Sequence, residues 1–152
     1  MMAMTAIALL ICIVNIVWIF VQSYFIAFTS GEGCIAWHEG LLCLQILVFS
    51  CRLIFKTLFY LLLIAFFVRQ TKAIMNGTIF PRSNVRLLSL MAVSYFIGST
   101  CNENLDTCLV FDGNTGSFVL NIDVVLYTLL LVVFAILYKI AVNVSEENNL
   151  TI

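Results

Sequence analysis

Two bases stand four residues apart in an otherwise apolar stretch, Arg52 and Lys56 within 41–68. As a helix, that stretch puts both on one face. A charge inside hydrocarbon is costly, and by default it marks function. One acid, Asp123, stands near the start of another apolar run, 118–142. Counting back about 20 residues from Val68 places the outer boundary of its run near Phe49. Arg52 then lies about one turn deep and Lys56 about two, with Asp123 entering from the same side at a similar depth. A pairing of Asp123 with Arg52 would offset both desolvation costs. The chemistry open to this cluster is an ion or proton pathway, or a ligand carboxylate held by Arg52 and Lys56. The plainer alternative is a structural pair plus a snorkelling lysine.

The chain has six cysteines and one histidine. Cys12, Cys43 and Cys51 lie in or near apolar runs and are expected to act as small hydrophobes. Cys34, Cys101 and Cys108 lie in polar segments, where a disulfide persists if those segments face an oxidising compartment. Cys101 and Cys108 have six residues between them, so a local bridge is open. Cys34 pairing with either of them and free thiols are open as well. A thiol oxidase passing electrons to quinone needs a C-x-x-C pair, and none is present. His38, between Trp37 and Glu39, reads as part of an interfacial anchor. A zinc or haem site would need more ligands than Glu32, Cys34 and Glu39 supply nearby. Phosphate-cradling glycine loops, nucleophile elbows and nucleic-acid motifs are missing. The expectation is a non-enzymatic protein with no cofactor and no direct nucleic-acid contact.

The elements that must position these residues follow from composition. Of 152 residues, 63% are hydrophobic and 10% charged. Seven Lys+Arg and eight Asp+Glu cannot coat a globular domain of this length. That excludes a soluble enzyme, a disordered chain and a basic nucleic-acid binder, and indicates a protein whose partner is the lipid bilayer. Four apolar runs, 3–28, 41–68, 83–101 and 118–142, predict an all-α bundle of four transmembrane helices in one domain. The first lacks the basic n-region of a signal peptide and is too long for an h-region, so it reads as an uncleaved span. The second exceeds what a bilayer requires and must tilt or protrude. The third is the weakest: strong apolarity runs only from Leu87 to Ile97, and Gly98, Ser99 and Thr100 follow. It reaches full length only with 83–86 added and Arg82 and Arg86 snorkelling.

Loop charges set the orientation. Arg69, Lys72, Arg82 and Arg86 occupy 69–86 with no acid, whereas Glu32, Glu39, Glu103, Asp106 and Asp112 occupy 29–40 and 101–117 with no base. Basic loops stay in the cytoplasm, so both termini are expected inside and Lys139 marks the inner end of the last span. The same basic loop, interleaved with Ile74, Met75, Ile79 and Phe80, suits an anionic leaflet or a cytoplasmic partner as well as topology alone. Glycosylation patterns at Asn76, Asn143 and Asn149 fall inside and are discounted. Within 108–120, two short apolar pieces flank Asp112-Gly-Asn-Thr-Gly116, which reads as a small outer hairpin or an irregular loop. Pro81 suits a first helical turn, and Asn76-Gly77 signals a turn. Ser94 and Gly98 form a small-xxx-small step that permits close helix approach. Asn15 is expected to hydrogen-bond another helix, and the polar tail 145–152 to be frayed or partner-bound.

Two segments carry a resemblance. The stretch Asn76-Gly77-Thr78-Ile79-Phe80-Pro81-Arg82-Ser83-Asn84-Val85-Arg86-Leu87-Leu88 resembles the G-x-I-F-x-x-x-N-V-x-x-L segment leading into the third span of a bacterial four-span family. The ending Glu147-Asn148-Asn149-Leu150-Thr151-Ile152 is similar to that family's E-N-D-L-T-V, departing at Asn149. The family is domain of unknown function 2975. The resemblance covers nearly the whole chain by length and implies a bacterial cytoplasmic-membrane protein. The family's frequent neighbours, small helix-turn-helix regulators, imply a regulatory role. Two functions follow as expectations. One is a membrane protein whose inner loop and tail engage a cytoplasmic regulator or a second copy. The other is a small oligomeric transporter or channel using Arg52, Lys56 and Asp123.

Overall fold

The computed structural model describes residues 2–29, 37, 39–40, 42–77, 79–105 and 118–150, the side chains of 2 and 148–150 excepted. These residues form four helices: α1 (Met2–Phe28), α2 (Leu42–Met75), α3 (Ser83–Glu103) and α4 (Ile122–Leu150). No proline interrupts any of them, and of the seven glycines only Gly98 falls inside one. Helices satisfy their own backbone groups, which is the condition for an apolar chain to sit in lipid. Three of them, α1, α2 and α4, are long and apolar enough to cross a membrane.

Two helices run further than the sequence suggests. α2 continues past Val68 to Met75, because 69–73 holds only residues a helix accepts and Lys72 near the C-terminus favours the dipole. It stops where expected: Asn76 N–H donates to Lys72 O at 3.1 Å, and Gly77 takes a left-handed φ of 80°. At 1.5 Å per residue, its 34 residues span about 51 Å. α4 holds helix to Leu150, so the tail through that residue is helical rather than frayed.

The outer hairpin is not supported. Residues 106–117 lie outside the described residues, and 118–121 form no strand. The Asn104 side chain occupies the backbone of this segment instead. Its Oδ1 accepts from Val119 N–H at 2.7 Å, and its Nδ2 donates to Val119 O at 2.7 Å. Both ladder-forming groups of Val119 are thereby spent on the C-terminal end of α3.

α3 is the packing centre. It lies against α2 on one side and α4 on the other, and α1 lies on α2; α1 and α4 do not pack together. Leu88 and Met91 of α3 form a buried cluster with Ala135, Tyr138 and Val142 of α4, closed by Phe59, Leu62, Leu63 and Phe66 of α2. A buried polar triad joins the same three helices. Tyr138 OH donates to Gln70 Oε1 at 2.8 Å, and Asn84 Nδ2 donates to the same oxygen at 3.0 Å. On the far faces of α1 and α4, Leu10, Val14 and Val17, and Leu130, Val133 and Leu137, stand exposed as lipid-facing residues would.

The α2–α3 contact depends on Gly98. A Cβ there would meet Lys56 N at 2.9 Å and the Phe55 carbonyl carbon at 3.2 Å, both backbone atoms that cannot swing aside. Gly98→Val is expected to destabilise the purified protein by roughly 1–3 kcal/mol, as overpacking does. Gly40→Ala, with nothing within 4 Å of its Cβ, is expected to stay within about 0.5 kcal/mol of the parent. Thermal unfolding in detergent, followed by helical circular dichroism, checks both.

Candidate functional site: a polar interhelical cavity

Arg52 is 1% exposed, although it belongs to a helix apolar enough to cross a membrane. Among the described residues its guanidinium donates to neutral oxygens. Nη1 donates to Ser23 Oγ at 2.9 Å, Nη2 to Gln22 Oε1 at 3.0 Å and Nε to Asn102 Oδ1 at 2.9 Å. Ser23 Oγ donates in turn to Ile19 O at 2.7 Å. A rigid planar fork suits this task, since it presents donors to α1 and α3 at once. Lys56, one turn further along α2, donates from Nζ to the same Asn102 Oδ1 at 2.7 Å. A carbonyl oxygen has two lone pairs, and Asn102 gives both to cations.

Beside this cluster lies a cavity of about 480 Å³, walled by all four helices. α1 contributes Asn15, Trp18 and Gln22, α2 Lys56 and Tyr60, α3 Tyr95, Ser99, Asn102 and Glu103, and α4 Asp123 and Tyr127, with Asn121 just ahead of α4. Tyr60 OH donates to Asn15 Oδ1 at 3.2 Å, which gives Asn15 the interhelical partner expected of it. Asn121 Nδ2 donates to Glu103 Oε2 at 3.2 Å. Because α1 and α4 do not pack together, the cavity lies in the gap between them.

The structure separates the residues singled out by sequence. Arg52 and Lys56 do share one side of α2 and one acceptor. Asp123 lines the cavity with Lys56, but it forms no ion pair with Arg52; the one ion pair among the described residues is Arg82–Glu146 at 3.8 Å. Cys101 is half-buried in the last turn of α3. Cys108, Cys34 and His38 lie outside the described residues. Cys12 is buried, Cys51 half-buried and Cys43 exposed, all three as free thiols. Arg69 and Lys72 ride on the end of α2, with Arg82 and Arg86 around the start of α3, all exposed. Among the described residues no group of three His, Cys, Asp or Glu is placed to hold a metal. Sequence reasoning missed Asn102 as the shared anchor, because it stood in a segment that resembled a loop. Gln22 and Ser23 were visible as polar breaks in the first span, without a sign of what they served.

The arrangement defines a class: an all-helical, membrane-type protein with a charged cavity set among its helices. No known protein family, curated protein or solved structure matches the chain.

The contacts predict which charges are coupled. Arg52→Gln and Ser23→Ala share a hydrogen bond, so their double-mutant cycle is expected to show a coupling on the order of 0.5–3 kcal/mol. Arg52→Gln and Asp123→Asn share no contact, and their effects are expected to add within about 0.5 kcal/mol. Chemical denaturation in mild detergent measures both cycles.

Proposed function

We propose that the chain is a non-enzymatic, four-span protein of the bacterial cytoplasmic membrane that works by binding a ligand in its polar cavity. α3 serves as the remaining span and both termini are cytoplasmic. The observation that carries this is the cavity itself: Lys56, Glu103 and Asp123 line one space of about 480 Å³ without pairing with one another. Of the three only Lys56 is half-buried, and a charge withdrawn from water is costly unless something completes it. The volume falls within the roughly 300–1,000 Å³ of small-molecule sites. Orientation is supported by the charge pattern, with Arg69, Lys72, Arg82 and Arg86 at one end of the helices and Glu103 and Asp123 at the other. Membership in the domain of unknown function 2975 family remains part of the proposal, resting on the quoted segments.

Arg82–Glu146 favours a second role beside the first. It ties the basic inner loop to the end of α4, giving a cytoplasmic regulator one continuous face to dock on. Transport is less well supported. The packed cluster of Leu88, Met91, Ala135 and Tyr138 lies on the inner side of Tyr95, so flux would call for self-association or a second conformation.

Native mass spectrometry of protein extracted from its own membrane is expected to find a retained non-protein mass, lost in Lys56→Gln at unchanged helix content. An identical spectrum for parent and variant would sink the cavity reading. In a cysteine-free background, Asn76→Cys is expected to react with an impermeant maleimide only in opened vesicles, and Phe118→Cys in intact cells. Removal of 145–152 is expected to abolish capture of a cytoplasmic partner while leaving the retained mass in place.

A further inference from the structure

The cavity's charges are sorted by wall, and the sorting specifies a ligand. This inference rests on the ligand-binding reading above and deepens it. The base comes from α2: Lys56 Nζ gives one of its three hydrogens to Asn102 Oδ1, leaving two for an anion. The acids come from the other two helices. Glu103 ends α3, and Asp123 opens α4, where the helix dipole favours a carboxylate. The Asp123 carboxylate accepts no hydrogen bond from any described residue and pairs with no described base. Beside it, Tyr127 and Tyr95 meet edge to face, with ring centroids 6.4 Å apart, and both line the cavity. Carboxylate and aromatic faces together are a site for an ammonium.

A purely anionic ligand would satisfy Lys56 and leave the two acids facing it. A purely cationic one would leave Lys56 facing it. Only a molecule carrying both signs, a few bonds apart, completes both walls at once. The mouth adds a condition on access: it opens sideways between α1 and α4, where Trp18 and Tyr127 are 60% and 57% exposed. We propose that the cavity binds a phosphate-bearing primary amine, the head group of an aminophospholipid such as phosphatidylethanolamine, with phosphate on Lys56 and ammonium between Asp123, Glu103 and Tyr127. The same head group can arrive as a lipid, through the lateral gap, or as free phosphoethanolamine from the aqueous side.

The test titrates purified protein with phosphatidylethanolamine or phosphatidylglycerol of matched chains and counts bound lipids by native mass spectrometry. Phosphatidylethanolamine is expected to bind about tenfold more tightly, as one charge-assisted hydrogen bond supplies. That preference is expected to vanish in Lys56→Gln and in Asp123→Asn. Tyr127→Leu, on the exposed side of α4, keeps the test alive if either charge variant fails to fold, and is expected to weaken phosphatidylethanolamine several-fold. A parallel arm uses Trp37→Phe, which leaves Trp18 as the sole tryptophan, and follows its emission against phosphoethanolamine. Saturable change there identifies the head group itself as sufficient; no change, with lipid preference intact, identifies the lipid as the source. Both results support the site. Equal binding of the two lipids, or a preference that survives every variant, overturns it. Preferential phosphatidylglycerol binding that depends on Lys56 overturns the zwitterion while the cavity stands. Binding indifferent to Lys56 and Asp123 alike removes the cavity reading too.

Discussion

A guanidinium buried at 1% exposure between apolar helices constrains everything around it. Such a charge survives only if its donors are met, because leaving them bare in hydrocarbon costs several kcal/mol per group. Among the described residues Arg52 donates to neutral oxygens from two other helices, Gln22 and Ser23 on α1 and Asn102 on α3. α1 lies on α2 alone and is otherwise uniformly apolar. Dispersion between apolar faces gives little orientation in a lipid solvent, since lipid tails offer the same contact. The directional bonds from Arg52, together with that of Tyr60 to Asn15, therefore set the rotation of α1 about its axis, and with it the side on which Asn15, Trp18 and Gln22 face the cavity.

α3 shows the complementary constraint. It is the least apolar helix and yet the most enclosed, with Asn84, Ser94 and Gly98 among its buried residues. A helix in contact with lipid must be apolar outside, but a helix in contact with other helices needs small residues and matched polar groups. α3 has these at both ends. Asn84 joins Gln70 and Tyr138 at its start, and Asn102 joins Arg52 and Lys56 at its finish. Between them Gly98 admits the α2 backbone. The two polar anchors are 18 residues apart on α3, about 27 Å of helix. A slip of one residue would break both, so the α2–α3 register is pinned at two distant points.

This division explains what the sequence disclosed. α1, α2 and α4 were legible because lipid contact writes itself as composition. α3 was faint because its surroundings are protein, and protein contact writes itself as packing, which one sequence does not display. Arg52 stood out through the cost of its charge. Its partners did not, because they are neutral and lie 29, 30 and 50 residues away; a search for opposite charge led to Asp123 instead. The hairpin expectation finds no support for a similar reason. Turn residues and alternating apolar pieces are local signals, whereas the bonds that hold Val119 come from the Asn104 side chain, 15 residues earlier.

The same distribution decides which parts are fixed. α2 and α3, stitched at both ends, form a frame. α4 is held to it by the buried cluster around Tyr138, toward the end that bears Gln70 and Asn84, and α1 by the Arg52 bonds, toward the end that bears Asn102, with Tyr60–Asn15 beside them. Neither outer helix is held to the other. The width of the gap between α1 and α4 is therefore set by no helix contact, only by the frame and by whatever lies in the gap. Asp123 is on the first turn of α4, far along the helix from Tyr138, and the bonds of Asn104 with Val119 and of Asn121 with Glu103 join that end to α3 but not to α1 or α2. A ligand that bridged Lys56 and Asp123 would complete a ring of contacts the chain leaves open, and would tie the outer end of α4 to α2. Cavity occupancy and the position of α4 are then one equilibrium, and a ligand shifts it by as much as its affinity for the closed gap exceeds that for the open one. α4 also carries Glu146, the partner of Arg82 in the basic loop, so one helix runs from the wall of the cavity at Asp123 to the basic loop at its other end.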